Sequence, residues 1–202
     1  LLGAQLHGLE NIVVVKGDPP RQRDRGRLIS VDDYTPTSLI AAVRELNNGT
    51  DLRGLDLRTP TNFCTGATID LARDLNTELT LTRQKIDAGA QFFLAQPNFN
   101  PHGLLKFFEC YRIRFREALA APVFNGLQVM TSESIRFGDI PQWVTDGLDS
   151  GRTGEEIALE VWQSYLNEGL YLAYLIPPIL RGGRRDYASA QRVTSLMRQA
   201  GG

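Results

Sequence analysis

Residues 78–100, ELTLTRQKIDAGAQFFLAQPNFN, carry the pattern that decides the fold class. Glu78, Leu81 and Lys85 recur at spacings of three and four, which places them on one face of a helix over residues 78–88. The run that follows, residues 92–95, is short, continuous and apolar, as expected of a strand buried on both faces. Beyond it a second helical pattern, residues 103–120, sets Leu104, Phe107, Phe108, Tyr111 and Phe115 along one stripe.

The same alternation extends in both directions. Residues 11–15, 55–57, 123–129 and 170–176 are further strand candidates, and helical patterns cover 37–46, 154–168 and 186–197. Residues 1–9 read as the end of an amphipathic helix with no N-terminal cap signal, so the domain is expected to begin upstream. Strand–helix alternation implies parallel strands joined by right-handed crossovers, the α/β class. Five such units occupy 202 residues. A complete eight-unit barrel takes roughly 250, which leaves a small open sheet or a barrel lacking its first strands. One partial domain over residues 1–202 is the expected organisation.

Composition narrows the function. An apolar fraction of 42% and a charged fraction of 22% suit one well-buried core. The formal net charge of -1 removes the electrostatic case for non-specific nucleic-acid binding. Cys64 and Cys110 lack metal-ligand spacing and read as free thiols of a reducing compartment, so the cytoplasm is expected. No apolar run reaches the roughly 20 residues of a bilayer span, and the N-terminal stretch lacks the basic region and cleavage site of a signal peptide. His7 and His102 fall in helical or cap contexts, and no metal cluster, Ser/His/Asp set or phosphate-binding glycine motif emerges.

In α/β folds ligands gather beyond the carboxyl ends of strands. After the first strand come Lys16, Gly17 and Asp18, where two charged groups bracket a glycine that lets a ligand approach the backbone; an ordinary strand-to-loop turn explains them too. Residues 21–27 hold four arginines, a phosphate contact or a solvated loop. The small residues from Phe63 to Thr68, Gly66 among them, are expected after the second strand, leaving room for a planar group or forming a packed loop. Lys85 is a surface lysine or, on a face lining the strand ends, a cation for a diphosphate. Gln96 ends the third strand with an amide that both donates and accepts, suited to a heterocycle edge or to buried backbone groups.

Several blocks resemble one family. Residues 1–20, LLGAQLHGLENIVVVKGDPP, are similar to the helix and strand preceding the Gly-Asp-Pro-Pro loop of bacterial methylenetetrahydrofolate reductases. Residues 46–67 carry the family's Leu-Asn-x-Gly-x-Asp run and Pro-Thr-x-Phe-x-x-Gly-Ala. Residues 78–100 carry Lys85, Asp87-Ala88-Gly89-Ala90 and Gln96-Pro97, like its lysine-bearing helix and the strand ending in Gln. Asn125-Gly126-Leu127 and Ile140-Pro141-Gln142-Trp143-Val144 resemble its seventh strand and the stretch after it, and residues 171–178 its eighth.

The resemblance implies strands four to eight of a (β/α)8 TIM barrel and reduction of 5,10-methylenetetrahydrofolate to 5-methyltetrahydrofolate by hydride transfer through FAD. It implies that Asp18 lies near flavin and folate, that Lys16, Gly17, Gly66, Glu78 and Lys85 join it in binding FAD, and that Gln96 and Arg181 bind the folate. The electron donor is reduced nicotinamide or another reductant, and the family's proton-donating glutamate is expected upstream, on the first strand. Two departures stand out: Lys16 replaces a frequent Arg or Thr, and residues 131–138 are shorter than usual. Competing readings are a non-catalytic folate- or partner-binding subunit, and an unrelated barrel enzyme that holds a phosphorylated substrate with Lys85 and the arginine-rich loop.

Overall fold

The computed structural model describes residues 1–17, 22, 27, 31, 33–136 and 139–200, with the side chain of Ala200 excepted. The chain divides into two compact units, one of residues 1–94 and 119–122, the other of residues 95–118 and 123–202.

The first unit runs α1 (Leu2–Leu6), β1 (Asn11–Val13), α2 (Pro36–Asn47), β2 (Cys64–Ile69) and α3 (Leu75–Ala88) into β3 (Phe92–Ala95), whose last residue opens the second unit. β1 and β2 are parallel, with Asn11, Ile12 and Val13 opposite Cys64, Thr65 and Gly66. β3 follows β2 in the hydrogen-bonded order, and Gln91 N donates to Thr65 O at 2.8 Å at its start. α2 starts at a capping box in which Thr35 and Ser38 satisfy each other's backbone N–H groups, with Pro36 in the first turn where no N–H is needed. α3 starts at Asp74, whose carboxylate accepts from Thr77 N, and stops at Gly89, whose φ of 118° suits a residue without Cβ. Ile40, Val43, Ile69, Leu79 and Phe93 are buried in this unit, each contributing about 1.5–3 kcal/mol by leaving water.

The second unit holds α4 (His102–Phe115), β4 (Val123–Gln128), α5 (Gln142–Asp149), α6 (Gly154–Asn167), β5 (Ala173–Ile176), a 3-10 turn (Arg181–Gly183) and α7 (Tyr187–Ala200). β4 and β5 are parallel, pairing Asn125 with Ala173, Gly126 with Tyr174, Leu127 with Leu175 and Gln128 with Ile176. Leu127, Met130, Val144, Ile157, Val161, Trp162 and Tyr165 form a core onto which Ala173 and Leu175 also pack.

The α/β class expected from the alternation is the class observed, and the boundaries shift. The second strand is not residues 55–57 but Cys64–Ile69. Leu55 is 62% exposed, Asp56 makes only an isolated antiparallel bridge to Thr50, and Asp51 Oδ1 accepts from the N–H groups of Arg53 and Leu55, closing a turn. The true strand was hidden because small residues, CTGATI, do the burying. α4 stops at Phe115 rather than near residue 120, because Arg116 turns left-handed at φ 58°. α5 carries the Trp143-Val144 stretch and was not expected as a helix; it is only eight residues long and begins directly after Pro141.

Candidate functional site

Lys16 and Gly17 follow β1 and are exposed, and among the described residues nothing lies within 4 Å of where a Cβ on Gly17 would stand. Asp18 lies outside the described residues, as do Phe137, Gly138 and all of residues 21–27 except Gln22 and Arg27.

Gly66 stands inside β2, not in a loop beyond it. The ring of Phe92 occupies the place its Cβ would take. The glycine therefore allows an aromatic ring of the neighbouring strand to lie flat on β2.

Glu78 and Lys85 are both turned inward, 1% and 7% exposed. Helical side chains lean towards the N-terminus, so Lys85 reaches back to the end of β2, where its Nζ donates to Thr68 O at 2.6 Å and stands 3.5 Å from Glu78 Oε1. That same oxygen accepts from Asp70 N at 3.2 Å. Glu78 Oε2 lies 3.1 Å from Arg73 Nε, and Arg73 approaches Asp70 at 3.9 Å. Burial pulls the Lys85 ammonium below its ordinary value of 10.5, and the Glu78 carboxylate opposes that. Two cations and two carboxylates make a knot with no net charge that ties α3 to the end of β2.

In the second unit Gln96 follows β3, exposed, with its amide unpaired among the described residues. Behind it, Tyr174 of β5 donates its hydroxyl to Ala95 O at 3.0 Å. Tyr165 of α6 donates to Asn98 O at 3.1 Å, and burial pushes its hydroxyl up to about 12. Arg181 is exposed in the 3-10 turn after β5. His102, the first residue of α4, lines a cleft of about 330 Å³ with Phe99, Trp143, Glu160 and Glu168.

The structure thus brings Glu78 and Lys85 together and sets Gly66 against Phe92. Asp70, Arg73 and Tyr174 escaped the reading of the sequence, and Thr68 entered it only as one of the small residues after the expected second strand. Asp70 and Arg73 precede α3 at no helical or strand period, and Tyr174 meets its partner only through cross-strand register. Among the described residues no group of three or more His, Cys, Asp or Glu is placed to hold a metal, and no helix is long and apolar enough to cross a membrane.

Residues 1–164 match the family model of methylenetetrahydrofolate reductase. Among solved structures the fold is similar, at 13% identity and a TM-score of 0.52, to an uncharacterized protein from Clostridium thermocellum that binds two copies of 5-methyl-5,6,7,8-tetrahydrofolic acid; the match covers 96% of this chain and 85% of that one. No curated protein matches the chain.

Proposed function

The chain belongs to the methylenetetrahydrofolate reductase family, and from that premise we propose that it binds a reduced folate beyond the end of β3 and takes part in reducing 5,10-methylenetetrahydrofolate to 5-methyltetrahydrofolate through FAD. The strands would then be the fourth to eighth of a (β/α)8 barrel. The observation that carries the reading is Gln96: an exposed amide, unpaired among the described residues, directly after a strand whose alternate residues are buried. Its C=O and NH2 match the alternating donors and acceptors of a pterin edge. Arg181, exposed after β5, has the fork geometry for the carboxylates of a folate tail. The fold shared with the Clostridium thermocellum folate-binding protein supports the same ligand class.

FAD, when bound, would supply the hydride relay between a reduced nicotinamide, or another donor, and the folate. Lys16 and Gly17, exposed after β1, fit a cofactor at that strand end, and Asp18, the next residue in the sequence, would tune the flavin. Glu78 and Lys85 do not fit the diphosphate, because both are buried and their charges are already matched. That neutral knot favours a second reading, a folate-binding subunit with no flavin turnover of its own.

One set of measurements separates these readings. The purified full-length protein is titrated calorimetrically with 5-methyltetrahydrofolate, and its visible absorbance is recorded. Flavin absorbance supports the reductase; folate binding by a colourless protein that FAD does not saturate supports the subunit. In the coloured protein, Gln96→Glu should slow flavin reoxidation by methylenetetrahydrofolate in stopped flow while reduction by the donor changes little. Absence of folate binding would sink both readings.

A further inference from the structure

Resting on the reading of Gln96 as a folate contact, we infer that Tyr174 is a positioning residue for it: the Tyr174 hydroxyl pins the peptide from which Gln96 projects, across a gap that Gly126 keeps open.

The geometry starts with register. Gly126 of β4 pairs with Tyr174 of β5. Leu127 lies in the apolar core, with Leu175 packed against it, so the alternation of a strand turns Gly126 and Tyr174 to the opposite face. On that face the Tyr174 hydroxyl reaches Ala95 O at 3.0 Å. A side-chain carbon on Gly126 would stand 2.9 Å from both Ala95 O and the Tyr174 hydroxyl, and 3.0 Å from Pro97 N. Any residue but glycine would push these groups apart. Ala95 C=O and Gln96 N share one planar peptide. Fixing that carbonyl therefore orients the plane from which Gln96 departs, and Pro97, with its φ locked, restrains the other side. Burial pushes the Tyr174 hydroxyl above its ordinary value of 10.0, so it keeps its proton and donates at neutral pH. A recognition amide loses effect when it is misplaced by about 1 Å, and this bond supplies the rigidity an exposed glutamine lacks.

The test is a double-mutant cycle with 5-methyltetrahydrofolate as the probe, read by calorimetry on the full-length protein. Gln96→Ala should weaken binding at least tenfold. Tyr174→Phe, which keeps the ring, should weaken it about three- to tenfold, and the double variant should bind no worse than Gln96→Ala, because the tyrosine acts only through the glutamine. A tyrosine that merely holds the fold would give losses that multiply, and that result overturns the inference. Parental affinity in Tyr174→Phe alone, or in Gln96→Ala alone, also overturns it. In the second case the folate reading of Gln96 falls as well; in the first it survives. Should Tyr174→Phe fold poorly by thermal melt, Gly126→Ala strains the same contact from the other strand and must show the same non-multiplying loss.

Discussion

Replacing Lys85 by methionine tests whether the ion-pair knot around buried Glu78 holds the first unit together. The substitution keeps an unbranched stem of similar volume and removes the ammonium. Thr68 O then loses a donor that stood at 2.6 Å. Glu78, 1% exposed, loses the cation 3.5 Å from its Oε1 but keeps Arg73 at 3.1 Å from its Oε2 and the N–H of Asp70. Stranding one member of a buried ion pair costs about 3–5 kcal/mol. Arg73 still neutralises the carboxylate, so the expected loss falls below that range, at about 2–3 kcal/mol. The double variant Lys85→Met with Glu78→Gln removes both charges together. It should lose less than the sum of the two single changes by at least about 1 kcal/mol. Urea denaturation followed by far-UV circular dichroism measures all four proteins. A loss below about 1 kcal/mol in Lys85→Met, or strict additivity in the double variant, would refute the knot and return Lys85 to the role of a free cation. The pH dependence adds an independent sign. Burial sets the folded pKa below the unfolded 10.5, so between the two the unfolded chain holds the extra proton. The contribution of Lys85 therefore makes stability rise with pH across that window, and Lys85→Met should remove this rise.

Other consequences are simpler to check. Gly66→Ala forces a methyl into the space of the Phe92 ring and should cost about 1–3 kcal/mol in thermal or urea denaturation; combining it with Phe92→Leu should recover part of that loss. Thr153→Ala removes the half of the box that starts α6 in which Thr153 Oγ1 accepts from Glu156 N, leaving the Glu156 carboxylate on the N–H of residue 153, and should cost about 1 kcal/mol by denaturant titration. The hydrogen bond from Thr77 N holds the Asp74 carboxyl below its ordinary 3.8. Its contribution is present above that value and fades as pH falls through the folded pKa, so acid unfolding of Asp74→Asn should lose this component of its pH dependence while the parent keeps it.

Residues 78–100 made the α/β class legible because helix and strand periods are local properties of the chain. The helices at residues 36–47, 75–88 and 154–167 were visible for the same reason. β2 was not, since Thr65, Gly66 and Ala67 are weakly apolar and become core only when α2 and α3 pack on the strand. The spacing of Glu78 and Lys85 put them on one face from the sequence alone, but period cannot say which way a face turns. Tertiary packing turned it inward and matched its charges. Gln96 was recognisable as an amide at a strand end; its support was not, because Ala95 and Tyr174 are 79 residues apart and meet only through the register of strands laid side by side. Local chemistry and periodicity thus determined the elements and the candidate groups. Burial, charge matching and cross-strand register, which depend on contacts remote in the chain, decided which of those groups are turned inward and which stand exposed.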